Sequence, residues 1–96
     1  MKKFAIILSG CGFKDGSEIT ESVSTLIALS EARASYQIFA PDVPFKATNH
    51  LTGQKEGERS SLAESARIAR GDVQNLTELN PDKFDGLVLP GGFGAA

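Results

Sequence analysis

The chain reads FAIILSG at residues 4–10, and this stretch decides the fold. Its five apolar residues run without interruption into Ser9 and Gly10, a pattern typical of a strand in a parallel sheet that helices cover on both faces. A secretory signal needs a longer apolar region, of about 7–15 residues. We therefore interpret the stretch as a buried first strand and predict an α/β fold.

The residues after this strand predict a strand–helix–strand unit. Ser17 is the expected N-cap of a helix, because apolar residues follow it at spacings of three and four. A second strand is predicted over residues 35–40, which end before a proline. We expect the apolar face of the helix to pack on the sheet. This face comprises Ile19, Val23, Leu26, Ile27 and Ser30.

The middle of the chain is more polar. Residues 41–59 predict a long loop, with a small hairpin around residues 49–52. Ser61 and Glu64 have the spacing of a capping box, which opens a short helix that stops at Gly71.

The last predicted strand is the apolar LVL at residues 87–89, which runs into PGGFG at residues 90–94. The resulting architecture is an open, largely parallel α/β sheet. Strands of this type need helices on both faces, and the sequence predicts only two helices. We therefore expect residues 1–96 to be the N-terminal part of one larger domain.

Composition excludes several classes of function. The net charge of −2 gives no electrostatic drive toward nucleic acid. No apolar run approaches the roughly 18 residues of a membrane span, so we expect no membrane partner.

The single Cys11 has no disulfide partner, which favours a reducing compartment, and we expect a cytoplasmic location. Neither Cys11 nor His50 has a second metal ligand at a typical spacing, so no metal is expected.

The glycine-rich loop at residues 10–16 suggests a dinucleotide site, but its spacing differs by one residue from the fingerprint. Three carboxylates, Asp15, Glu18 and Glu21, would repel a pyrophosphate at the start of the helix. Asp15 and Glu18 have a simpler role, since acidic groups stabilise the first turn of a helix. Glu21 lies beyond that turn, where its carboxyl group can carry a proton between substrate atoms.

Four further residues have both a functional and a structural interpretation. Gly91 and Gly92 follow a strand and can present backbone N–H groups to an oxyanion, but a plain turn uses the same residues. Cys11 could be an exposed thiol, although free cysteines are more often buried as small apolar groups. His50 lies in the polar segment, where a solvated histidine is the simpler expectation.

Several segments together resemble a known family. They are IILSGCG at residues 6–12, DGSEI at 15–19, NHLTG at 49–53, ARIARG at 66–71 and LPGGFGAA at 89–96. In register, they resemble the isoprenoid-biosynthesis glyoxalase family, also called the ElbB or enhancing-lycopene-biosynthesis family. That family lies within the PfpI-like, class I glutamine-amidotransferase-like superfamily.

The resemblance implies a flavodoxin-like open sheet, commonly a homodimer, and an enzyme that uses no cofactor. The implied reaction converts glyoxal or methylglyoxal to glycolate or lactate without glutathione. The family's cysteine nucleophile lies on a strand-to-helix elbow beyond residue 96, so Cys11 is not that nucleophile and this chain alone should be inactive. Glu21, in Glu-Ser-Val, matches the superfamily's carboxyl residue, and Gly91 and Gly92 match its backbone donors. A metabolite-binding or regulatory module without catalysis remains the alternative.

Overall fold

The computed structural model describes residues 1–95 and shows an α/β arrangement. A parallel sheet has the strand order β5-β2-β1-β6, and β3 and β4 form a separate antiparallel hairpin. Within these residues no helix is both long and apolar enough to cross a bilayer. The elements in chain order are β1 (Lys3–Ile7), α1 (Ile19–Glu31), β2 (Ser35–Ala40), β3 (Pro44–Thr48), β4 (Lys55–Ser60), α2 (Ser61–Ala69), β5 (Val73–Asn75) and β6 (Gly86–Val88).

Strand β1 lies at the centre of the core, between β2 and β6. Ala5, Ile6 and Leu8 have no solvent exposure, and Ile38 of β2 is buried beside them. Burying a side chain of this size contributes roughly 1.5–3 kcal/mol relative to leaving it in water. The predicted buried first strand and the predicted fold class are both confirmed.

Helix α1 begins one residue later than its predicted cap implied. Its N-cap is Glu18, whose carboxylate accepts a hydrogen bond from the Glu21 N–H at 3.0 Å. Ser17 is instead buried, and its hydroxyl oxygen accepts a hydrogen bond from the Ser9 N–H at 2.9 Å. The prediction of Ser17 as the cap is therefore wrong, because this hydroxyl closes the loop after β1.

The predicted apolar face of α1 is only partly correct. Leu26 packs against the core, but Ile19, Val23 and Ile27 remain exposed. The fully buried position of the helix is Ser22, which donates its hydroxyl proton to the Glu18 carbonyl at 2.7 Å. Because its hydroxyl group is bonded within the helix, Ser22 can be buried without an unsatisfied polar group.

Residues 41–59 are not the long loop that was predicted, because most of them form the hairpin of β3 and β4. Its turn is closed by Asn49, whose N–H donates to the Gln54 carbonyl at 2.8 Å and whose carbonyl accepts from the Gly53 N–H at 2.7 Å. The predicted small hairpin around residues 49–52 thus marks the turn of a larger one. Strand β4 is almost entirely exposed, which explains why it carries no apolar signal.

Helix α2 also differs from its prediction. Its N-cap is Ser60, which accepts a hydrogen bond from the Ala63 N–H at 3.2 Å, while Ser61 is buried as the first helical residue. Glu64 does not complete a capping box, because its carboxylate pairs with two arginines. The helix ends where predicted, since Arg70 adopts a left-handed conformation immediately before Gly71.

The ends of the sheet depart from the predictions. The short strand β5 was not predicted, because three residues carry too little periodicity. The predicted strand at residues 87–89 is observed as β6, but Leu87 and Leu89 are each about half exposed within the described chain. The expectation that this strand is buried is therefore not met by residues 1–95.

Candidate functional site

Two loops meet at the carboxyl edge of the sheet, the β1 loop (residues 8–18) and the β6 loop (residues 89–94). Phe13 of the first stacks on Phe93 of the second, with ring centroids 5.5 Å apart. The hydrogen bonds between the two loops join main-chain groups, so the two backbones are in direct contact. These bonds run from Glu18 N to Gly91 O (2.6 Å), from Phe93 N to Phe13 O (2.9 Å) and from Gly94 N to Gly16 O (3.0 Å).

Glycine at position 92 makes this close approach possible. Gly92 has a φ of +118°, which side chains disfavour. A Cβ atom there would lie 2.4 Å from the Gly16 carbonyl oxygen and 2.6 Å from the Glu18 nitrogen. The β6 loop therefore fits against the β1 loop only because position 92 has no side chain.

The structure brings together Glu21 and Gly91, two of the residues that the sequence nominated. The Gly91 N–H donates to Glu21 Oε1 at 3.2 Å, across 70 positions of sequence. The Glu21 carboxyl group is thus held at the junction of α1 and the β6 loop. This contact changes the role expected for Gly91. Its N–H was expected to donate to an oxyanion, but it is already bonded to the Glu21 carboxylate. Within residues 1–95 the Gly92 N–H has no hydrogen-bond partner.

Glu18, nominated as lining the site, has a structural position. Its carboxylate caps α1, and its main-chain N–H donates to the Gly91 carbonyl. These two bonds fix the start of the helix against the β6 loop. Glu21 lies in the first turn of α1, three residues after the cap, so the expectation that it lies beyond that turn is wrong, because the helix begins later than predicted. Glu18 therefore supports the position of Glu21.

Cys11 and His50 lie elsewhere, in a cavity of about 260 Å³ that Glu21 does not line. The cavity lies between the β1 loop, the hairpin and α2. His50 contacts two main-chain carbonyls through its ring nitrogens, Thr48 O at 2.9 Å from Nδ1 and Gly12 O from Nε2. The ring therefore ties the hairpin to the β1 loop.

The environment of Cys11 raises the pKa of its thiol above the ordinary value. Burial is the largest cause, and the carboxylates of Glu64 and Asp15 act in the same direction, against the opposing effect of Arg67 and Arg59. A raised pKa means that less thiolate is present at neutral pH, and the thiolate is the nucleophilic form. This chemistry disfavours Cys11 as a nucleophile.

Alkylation of Cys11 by iodoacetamide at neutral pH should therefore be slower than alkylation of glutathione. The Glu64→Gln variant should react faster than the parent protein, because it removes a carboxylate that raises the pKa and keeps both arginines. Mass spectrometry of a Cys11 peptide gives both rates, with urea-denatured protein as the reference. A native rate equal to the denatured rate would contradict this account.

Sequence reasoning missed three charged residues of this cavity, Arg59, Glu64 and Arg67. Glu64 was assigned to a cap, although its spacing of three from Arg67 also permits an ion pair along the helix. No pattern signals Arg59, because only the hairpin brings β4 beside α2. Within residues 1–95 no group of three metal-ligating side chains is clustered as a metal site.

No family model matches the chain. Human glutamine amidotransferase-like class 1 domain-containing protein 3, mitochondrial, is 50% identical over 98% of the chain, and the rat ES1 protein homolog, mitochondrial, is 47% identical over 98%. The chain spans 36% of the length of each of these relatives. The zebrafish ES1 protein, mitochondrial, is 35% identical.

A solved structure agrees with these sequence relatives. An isoprenoid biosynthesis protein with an amidotransferase-like domain, from Ehrlichia chaffeensis, matches the whole chain with a TM-score of 0.95 and 40% identity. The chain covers 46% of that protein.

The curated relatives correct one expectation. All three are named mitochondrial, so the predicted cytoplasmic location is wrong. The inference rested on a single unpaired cysteine, which indicates a reducing compartment without naming it. The fold and the relatives agree on the coarser family assignment. The chain is similar over nearly its whole length to proteins with a glutamine amidotransferase-like class 1 domain, which supports the superfamily that the sequence resemblance indicated.

Proposed function

We propose that this chain contributes Glu21 and the amides of the β6 loop to the site of a glutathione-independent glyoxalase. The observation that carries the proposal is the hydrogen bond from the Gly91 N–H to Glu21 Oε1. It holds one carboxyl group at the carboxyl edge of a parallel sheet, where open α/β folds bind their ligands. The substrates are glyoxal and methylglyoxal, as the ElbB resemblance implies, and the reaction needs no cofactor.

The nucleophile in this proposal is the family's elbow cysteine, which follows the segment described above. Its thiolate adds to the aldehyde carbon and forms a hemithioacetal. Glu21 takes the proton from that carbon and returns it to the neighbouring one, which converts the adduct to a 2-hydroxy thioester. Water then hydrolyses the thioester, so glyoxal plus water becomes glycolate plus a proton and the thiol is regenerated.

The two glycines have different roles in this scheme. Gly91 orients the carboxyl group that moves the proton, because its N–H fixes one oxygen of Glu21. Gly92 supplies the backbone donor for the oxyanion that forms when the thiolate adds, since its N–H has no partner within the described chain. Cys11 and His50 take no part, because they line the separate cavity.

The relative from Ehrlichia chaffeensis is described as an isoprenoid biosynthesis protein. The ElbB resemblance points to the same area of metabolism, and we extend that association to this chain. A dicarbonyl scavenger fits such a setting chemically, because reactive aldehydes modify the amines and thiols of neighbouring enzymes.

The direct test is an assay of the full-length protein that contains this chain. Incubation with glyoxal should yield glycolate, which ¹H NMR detects together with the loss of substrate. A protein without turnover whose elbow cysteine alkylates no faster than glutathione would contradict the proposal and favour the non-catalytic binding module.

A Gly91→Ala substitution should lower turnover while leaving the fold intact. The added Cβ would lie 2.8 Å from Glu21 Oε1, which is the mobile end of an exposed side chain. The carboxyl group must therefore move, and a displacement of ~1 Å can lower the rate by about a hundredfold. Steady-state kinetics and a thermal melt measure both effects.

The control for turnover is Gly57→Ala, in the exposed hairpin, where an added Cβ meets no atom within 4 Å and only the φ of +70° strains an alanine. This variant should keep the parent turnover. Parent turnover in the Gly91→Ala protein would show that the position of the Glu21 carboxyl group does not matter.

A further inference from the structure

The cavity beside Cys11 has the features of a second site, apart from Glu21. Its walls include Arg59 and Arg67, whose guanidinium groups both contact one carboxylate. Arg59 Nη1 lies 3.0 Å from Glu64 Oε1, and Arg67 Nε lies 2.6 Å from Glu64 Oε2. The Glu64 side chain is only 10% exposed, so a nearly buried carboxylate of the same lining fixes the position of both arginines.

Each guanidinium group keeps most of its donors. Arginine carries five N–H donors, and the contact with Glu64 uses one nitrogen of each side chain. The Arg59 and Arg67 side chains are 56% and 70% exposed, so their remaining donors are accessible. Forked donors of this kind match the two oxygens of a carboxylate.

The thiol of the cavity lining does not add a negative charge that would repel an anion. Cys11 stays largely protonated at neutral pH, because burial raises its pKa. Asp15 is the second carboxylate of the lining, and its Oδ2 already accepts the Thr48 N–H at 2.6 Å. His50 also lines the cavity, and its ring nitrogens contact main-chain carbonyls.

We propose that this cavity binds a small monocarboxylate through Arg59 and Arg67. The two arginines and the two carboxylates of the lining balance in formal charge, so a phosphate dianion would leave more uncompensated negative charge in the cavity than a monocarboxylate. The volume of about 260 Å³ corresponds to several waters at ~30 Å³ each, enough for an acid of two to about five carbons. The site is separate from Glu21, so it stands or falls independently of the proposed glyoxalase reaction.

The test uses protection of Cys11 as its readout. Glycolate should slow the alkylation of Cys11 by iodoacetamide in a saturable manner, because the thiol lines the same cavity. Ethylene glycol, which has a similar size and no charge, should not protect. Inorganic phosphate should protect at higher concentrations only. The quantity compared between proteins is the half-protecting concentration, since substitutions also change the intrinsic reactivity of the thiol.

The Arg67→Gln variant should need about tenfold more glycolate, the loss expected for one charge-assisted hydrogen bond. Arg59→Gln should also need about tenfold more glycolate. Because Arg59 lies outside the helix, the same result in both variants would exclude a folding defect of the helix as its cause. Arg70→Gln is the matched control, because Arg70 follows the same helix and does not line the cavity. The proposal fails if glycolate gives no saturable protection, if phosphate protects better, or if both cavity variants keep the parent value.

Discussion

Under the proposed glyoxalase reaction, replacing Glu21 by glutamine should lower the kcat of the full-length protein for glyoxal by about 10²–10⁴-fold, the usual contribution of general acid–base catalysis. The amide cannot accept and return a proton as the carboxyl group does. The fold should be unchanged, because the amide oxygen of glutamine can still accept the Gly91 N–H at the 3.2 Å contact. The measurement is steady-state glycolate formation, with circular dichroism as the check on structure.

Two glutamate variants of the same region serve as controls. Glu31→Gln, at the other end of α1, should retain parent kinetics. Glu18→Ala should cost about 1 kcal/mol through the lost cap and affect turnover less than Glu21→Gln. If Glu21→Gln keeps the parent kcat, Glu21 has no part in the chemistry.

The second large effect is on stability, in the Gly92→Ala variant. We expect a loss of about 2–6 kcal/mol, because a strained backbone costs ~1–3 kcal/mol and overpacking costs a further ~1–3 kcal/mol. Both penalties apply here, since φ is +118° and the added Cβ would lie 2.4 Å from the Gly16 carbonyl oxygen. The contact is with backbone, so no side chain can move aside to relieve it. Urea denaturation of the full-length protein measures the change.

The matched control is Gly53→Ala, in the turn of the hairpin. Gly53 also has a positive φ, of +79°, but an added Cβ there meets no atom within 4 Å. This variant should lose only about 1 kcal/mol, which isolates the conformational term. Equal losses in the two variants would show that a Cβ at position 92 is accommodated without a clash, which would contradict the close approach of the two loops.

The parallel sheet could be predicted from the sequence, because an uninterrupted apolar run is typical of a strand that helices cover on both faces. It was less informative for α1, where Ile19, Val23 and Ile27 obey helical periodicity but remain exposed within residues 1–95. Periodicity shows that a helix has an apolar face and does not show which part of that face a neighbour covers. Leu26 and Leu29 pack against the core, and the fully buried position of the helix is Ser22, a polar residue that hydropathy counts as exterior.

Sequence patterns identified individual residues of the candidate site, but they did not identify the contacts between those residues. Motif matching nominated Glu21 and Gly91 separately, but the hydrogen bond between them depends on the pairing of β1 with β6. Cys11 and His50 of the arginine cavity were nominated, but its charged residues Arg59, Glu64 and Arg67 were missed, since their meeting requires the hairpin that was predicted as loop. Interactions between distant segments follow from topology, and local sequence patterns do not encode them.

The position of β6 in the sheet also bears on the order in which the chain folds. The partner strands β1 and β2 join across about 33 positions, as the bond between Ser35 and Lys2 shows, whereas Lys3 meets Asp85 across 82. Closing the longer loop costs more chain entropy, so we expect β1, α1 and β2 to associate before β6 docks. Until β6 docks, Glu21 lacks its hydrogen-bond partner Gly91. We therefore expect that a chain still being synthesised can form α1 before the candidate site around Glu21 is formed.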